Sequence, residues 1–185
     1  MSTPLIVGLA VVVLAVLAAA VWLISRQQRR RAELREHFGP EYDRTVRAHG
    51  AEREAERELT ERRERVQQLH LRPLTAEQSE YYTAEWRSVQ AQFVDDPDHA
   101  IAEADQVLVE VMQLCGYPMV EFDQRVADIS VDHPDVVEHY RAAHAVAEHA
   151  ERGEASTEDL RQAMVHFRYL FDDLVETREH VEVTR

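Results

Sequence analysis

Between Leu5 and Ile24 the chain reads LIVGLAVVVLAVLAAAVWLI, twenty residues without a charged side chain. At about 1.5 Å per residue a helix of that length spans roughly 30 Å, the hydrocarbon thickness of a bilayer. A soluble domain seldom has room to bury a helix that is apolar on every face, so the run predicts a transmembrane helix over residues 4–25. Thr3 is placed to cap it, and Pro4 fits the first turn, where a missing N–H costs nothing.

A cleaved signal peptide is the competing reading, because Ala18, Ala19 and Ala20 offer small residues at a plausible cleavage position. Charge decides against it. Signal peptides carry a basic segment before the apolar run, whereas MSTP has no basic side chain and Arg26, Arg29, Arg30 and Arg31 follow the run instead. The positive-inside rule assigns that cluster to the cytoplasmic membrane surface, with the N-terminus outside and the rest of the chain in the cytoplasm. Ala15 and Ala19 form a small-xxx-small pair of the kind that packs membrane helices together or simply faces lipid.

Charge divides along the remaining chain. Residues 26–72 hold 13 Arg against 10 Asp and Glu, a net of +3, and residues 73–185 hold 8 Arg against 25 acids, a net of −17, which together give the chain's −14. A basic collar is attracted to an anionic leaflet, while the acidic distal part is repelled from it and from nucleic acid. The single cysteine, Cys115, has no intrachain disulfide partner, which fits a reducing compartment. All basic side chains are arginine, a bias that points to GC-rich coding rather than to a function.

Beyond the apolar run the chain reads as all-α. A basic juxtamembrane helix continues to Phe38, where Gly39 and Pro40 punctuate it. A long charged spacer helix follows to Leu69, with Tyr42, Val46, Ala55, Leu59, Val66 and Leu69 at near-helical or heptad spacing. Too few of these are large for a strong coiled-coil seam, so a solvated spacer with i, i+4 ion pairs is expected ahead of a dimerising coiled coil.

From Pro73 to Arg185 the pattern predicts an acidic bundle of about five helices. Thr75 and Gln78 make a capping-box pair before Tyr82, Trp86, Val89 and Phe93. Asp96 and Pro97 start the next helix, which carries Ile101, Ala104, Leu108, Val111 and Met112 to a stop at Gly116. A short helix carries Phe122, Val126 and Ile129; Pro134 opens a histidine-bearing helix that Gly153 closes. Ser156 or Thr157 caps a last helix with Leu160, Met164, Phe167, Leu170, Phe171 and Leu174.

The segments HFGPEYDRTV, LRPLT, EWRSVQAQFVDDP, ISVDHPDVVEHYRAAH and GEASTEDLRQAMVHFRYLF resemble an uncharacterised bacterial family of single-pass membrane proteins with a helical C-terminal domain. The resemblance covers most of the chain after the apolar run. It implies an organisation and supplies no catalytic residue.

DHPDVVEHYRAAHAVAEH, residues 132–149, places four histidines in what reads as one helix. His139, His144 and His149 are five apart, so each is turned about 140° from the last and no single metal collects them. His133 and His144 share a direction but are separated by roughly 16 Å along such a helix. His144 is expected as a partly buried imidazole satisfied inside the bundle. A metal gathered from different helices by His144, His166 and Asp172 is the alternative, and with it a histidine-based enzyme or pH sensor.

The chain has no Glu-x-x-His, no His-Glu-x-x-His, no cysteine pair, no Gly-rich phosphate loop and no Gly-x-Ser-x-Gly, so neither a catalytic residue nor a cofactor is predicted. Tyr81, Arg87 and Tyr169 fall off the apolar faces, and exposed aromatic and arginine side chains are frequent interface anchors. The expected function is therefore a membrane-tethered interaction or scaffolding module. Its partners would be the bilayer and an unidentified protein or a second copy of itself.

Overall fold

The computed structural model describes residues 3–176, with side chains at positions 12, 14 and 16–175. Among the described residues the chain forms eight helices and no strand: α1 (Thr3–Phe38), α2 (Pro40–His49), α3 (Glu52–Val66), α4 (Ala76–Gln92), α5 (Pro97–Cys115), α6 (Phe122–Asp132), α7 (Val137–Glu151) and α8 (Thr157–Glu176).

Helix α1 is continuous over 36 residues, about 54 Å at the helical rise. Among the described residues no helix is long and apolar enough to cross a membrane. The expected transmembrane segment falls in large part on residues 4–11, 13 and 15, whose side chains lie outside the described ones.

Among the five distal helices, α4, α5 and α8 start on side-chain caps. Thr75 Oγ1 accepts the Gln78 N–H while the Gln78 side chain accepts the Thr75 N–H. Asp96 accepts the His99 N–H ahead of Pro97. Ser156 and Asp159 cap α8 in the same reciprocal way. Their apolar faces meet in one core that includes Trp86, Ile101, Leu108, Met112, Ile129, Tyr140, Phe167 and Leu170. Trp86 stacks on Phe171 with ring centroids 4.6 Å apart, joining α4 to α8.

The stretch between the apolar run and this bundle departs from the expected solvated spacer. Gly50, with φ 70°, ends α2 in a left-handed cap, and the chain turns back into α3. The two short helices form a hairpin packed on the end of α1 and on α6. Phe38, Tyr42 and Leu59 are fully buried there, with Leu34 and Val66, and α6 contributes Val131. The apolar positions that looked too sparse for a coiled coil suffice for an intrachain core because α1 and α6 supply its other walls. Leu69 and Leu71 pack against both cores and join them.

The histidine segment also departs from expectation. His133 caps the C-terminal end of α6, and residues 134–136 turn before α7 begins at Val137. Pro134 disfavours helical geometry at the residue before it, so the break falls between His133 and the other three histidines.

Candidate functional site

At the apolar end of the molecule, Arg26, Arg29 and Arg30 are exposed on α1, and the Arg26 guanidinium lies over the Trp22 ring at 5.3 Å. Arg31 belongs to the fold instead. Its guanidinium pairs with Glu52 at 2.6 Å and Glu56 at 2.7 Å on α3, and the Tyr42 hydroxyl donates to the same Glu56. Seven residues after the apolar run ends at Ile24, α1 is therefore clamped to the hairpin.

A buried ionic seam holds the hairpin to the bundle. The Glu41 side chain is 1 % exposed; it accepts two hydrogen bonds from Arg141 on α7, at 2.7 and 2.8 Å, and one from Arg62 on α3 at 2.9 Å. Burial pushes the Glu41 carboxyl up, but the Arg141 and Arg62 guanidiniums outweigh it and hold the group below its ordinary range. Arg62 also clasps Glu58, which His49 contacts from the end of α2. A second pair, Arg65 with the buried Asp128, lies at 2.7 Å between α3 and α6. Charges this deep are costly unless paired, which makes the docking of hairpin on bundle specific as well as apolar. A cleft of about 510 Å³ opens beside the seam between Arg44, Arg62, Phe122, Asp123 and Arg141.

A second cleft, about 470 Å³, gathers Cys115, Tyr117, Asp132, His133 and Asp173 under Leu71 and Leu174. The Tyr117 hydroxyl donates to Asp132 at 3.0 Å, and His133 Nδ1 is held by Asp173. Burial pushes the Cys115 thiol up to about 11, with only a small opposing pull from Arg72. Burial, and then the Asp132 charge, push the Tyr117 phenol upward too. Both groups keep their protons at neutral pH, so the cleft presents a thiol and a phenol rather than a thiolate or phenolate nucleophile.

The remaining histidines have separate settings. His144 stacks on Phe122 at 3.7 Å, with Nδ1 3.3 Å from Asp105 and Nε2 3.9 Å from Glu148. Asp172 pairs with Arg168 on its own helix at 3.2 Å. His166 meets His139 across α7 and α8, Nδ1 to Nδ1 at 2.8 Å, and burial and then His139 hold its pKa below the ordinary value. His144, His166 and Asp172 thus each engage a different partner, and among the described residues no group of three or more His, Cys, Asp or Glu side chains is arranged to hold a metal. Tyr81 and Tyr169 are 57 % and 52 % exposed, as their off-face positions predict, and Arg87 is exposed with them. Tyr169 stacks on His139 at 4.4 Å.

Helix-phase reasoning along single helices missed the pairings between helices: His139 with His166, His133 with Asp173, and Glu41 with Arg141. One signal was available for the seam. Arg62 stands three after Leu59 and four before Val66, so it falls in the phase of the apolar stripe, whereas Glu41 is turned about 100° from Tyr42 and carries no such signal.

Comparison with protein-family models, with curated proteins and with solved structures finds no match.

Proposed function

We propose that the chain is a single-pass membrane-anchored interaction module, with helix 4–25 in the bilayer, the N-terminus outside and the folded body on the cytoplasmic face. The observation that carries this reading is the exposure of the described apolar side chains of α1 between Val12 and Ile24. Val12, Leu14, Val16, Leu17, Val21, Leu23 and Ile24 are each more than half exposed among the described residues. Lipid is the cover that suits an uncharged run of twenty residues followed directly by arginines. Trp22 and Arg26 then lie at the depth of the headgroups, with Arg29 and Arg30 free to meet anionic lipid.

The body would work by tethering. Confinement at the membrane raises its effective concentration for a membrane-proximal protein, and Tyr81, Arg87 and Tyr169 are the exposed side chains best suited to anchor one. Three measurements test the proposal. The full-length protein should resist alkaline extraction from membranes, and L14R/L17R should release it, since each arginine costs about 2.5–3.5 kcal/mol at a membrane helix centre. Mild-detergent purification should return one membrane-proximal protein at stoichiometric level, lost in Y81A/R87A/Y169A. Extraction of the wild type overturns the anchor, periplasmic activity of a C-terminal reporter fusion overturns the orientation, and recovery of the chain alone overturns the interaction role.

A further inference from the structure

The α7–α8 hairpin brings two imidazoles from different helices end to end. The Nδ1 atoms of His139 and His166 are 2.8 Å apart while the ring centroids are 4.9 Å apart, so the two nitrogens lie on the line between the rings and share one hydrogen bond. Both rings are half-buried. The backbones behind them are fixed, because Ala143 on α7 and Ala163, Phe167 and Leu170 on α8 are fully buried. Tyr169 stacks against His139 at 4.4 Å with planes 21° apart, which holds that ring and leaves His166 the freer of the two.

The charged groups around the pair are engaged elsewhere. On the α7 side Glu138 is drawn to Arg44 and Arg141, and on α8 Arg168 pairs with Asp172. Asp105 of α5 faces His144, Arg125 of α6 donates to Tyr140, and Asp173 of α8 holds His133. One turn from His139 the ionisable position is Asp135, and one turn from His166 it is Tyr169. Among the described residues no carboxylate or guanidinium is bonded to either ring, so burial and the rings themselves govern how the pair takes up protons.

A neutral pair has one Nδ1–H, donated by one ring to the lone pair of the other. A first proton goes to Nε2 of the donating ring, whose Nδ1–H then belongs to an imidazolium, so the bond is kept and becomes charge-assisted. A second proton has only the accepting Nδ1 left to bind. It removes the lone pair, breaks the bond and sets two positive rings against each other. The His166 pKa lies below its ordinary value, through burial and then through His139, as such a pair requires of its second proton.

We propose that His139 and His166 form a two-step proton switch in the α7–α8 hairpin, which one proton tightens and a second opens by turning His166 out toward solvent. Tyr169 decides which ring moves, because the face of a tyrosine ring favours a cation and keeps the charged His139 ring in place. The switch lies in the folded body and does not depend on the membrane anchor.

The test is nitrogen NMR of the full-length protein in detergent, with isotope-labelled histidine, titrated from about pH 8 to about pH 4; H139A and H166A assign the two rings. The expected result is a scalar coupling between the two Nδ1 nuclei that survives the first protonation and vanishes with the second, the two steps lying about one pH unit apart or more. In H139A the His166 ring should titrate in a single step at higher pH than the second step of the wild type, while H144Q leaves both steps in place. The coupling is read in the wild type, which keeps the proposal testable should an alanine variant fail to fold. Absence of the coupling at neutral pH, one step shared by both rings, or a coupling that persists after both protons are bound overturns it.

Discussion

Glu41 on α2 and Arg141 on α7, a hundred residues apart in the chain, are joined by two hydrogen bonds of 2.7 and 2.8 Å with the carboxylate almost wholly out of water. The pair, completed by Arg62, ties the hairpin to α7, beside the apolar packing and the Arg65–Asp128 pair that dock it on α6.

Glu41→Ala removes the buried carboxylate that Arg62 and Arg141 share and leaves each guanidinium only its partly exposed partner, Glu58 or Glu138. The expected loss is about 3–5 kcal/mol of folding stability, the range for breaking one side of a buried pair. Denaturant unfolding of the full-length protein measures it, and a double-mutant cycle with Arg141→Met should show strong coupling; additive effects would mean that the contact contributes little.

The same group sets a pH dependence. The guanidiniums hold the Glu41 carboxyl below its ordinary 4.5 in the folded state, so the unfolded state binds the proton more readily. Its stabilisation is fully present above about pH 4.5 and is lost as pH falls through the lower folded value. Stability measured from pH 6 down to pH 3 should therefore fall, and Glu41→Gln should lower the starting value and flatten that part of the slope.

Leu59→Ala separates a packed hairpin from a solvated spacer. Leu59 is fully buried against the end of α1 and α6, so the substitution should cost about 2–5 kcal/mol. A change within about 0.5 kcal/mol, normal for a surface position, would contradict the packing.

Gly116 ends α5 at φ +98°, and a Cβ built there would stand 2.8 Å from the His70 carbonyl oxygen. Gly116→Ala combines backbone strain with that collision and should destabilise by about 1–3 kcal/mol. Thermal unfolding reports it, and an unchanged melting temperature would show that the 70–72 strand of chain can shift aside.

Cys115 is 6 % exposed, with its thiol pushed up to about 11. A maleimide or disulfide reagent at neutral pH should leave it unmodified in the folded protein and label it at the rate of unfolding. Rapid stoichiometric labelling of the native state would reveal an accessible thiolate.

Much of the fold was readable because its boundaries are written in local chemistry. Thr75 with Gln78, Asp96 with Pro97, Gly116 and Ser156 each stand where a helix begins or ends. The hairpin was not, for two reasons. Its core residues Leu34, Phe38, Tyr42, Leu59 and Val66 are distributed over three helices, so no one stripe looks large enough alone. Its arginines and glutamates also look like ordinary solvated helix, and although Arg62 shares the phase of Leu59 and Val66 while Arg57 does not, the anion that lets Arg62 be buried lies on α2, outside the pattern of its own helix. The histidine pair is a stronger case. Helical phase correctly separated His139, His144 and His149, but the partner of His139 lies 27 residues away on another helix.

Because α1 passes without a break from its apolar half into the clamp at Arg31, the body is mounted like a cam on a shaft. Its angular setting is counted in residues. One residue inserted between Gln27 and Arg29 would turn the whole body by about 100° around the shaft and lift it by about 1.5 Å, changing which face looks sideways without altering a single internal contact. A stretch of seven inserted residues would restore the facing to within about 20° and raise the body by about 10 Å, so direction and height can be varied separately.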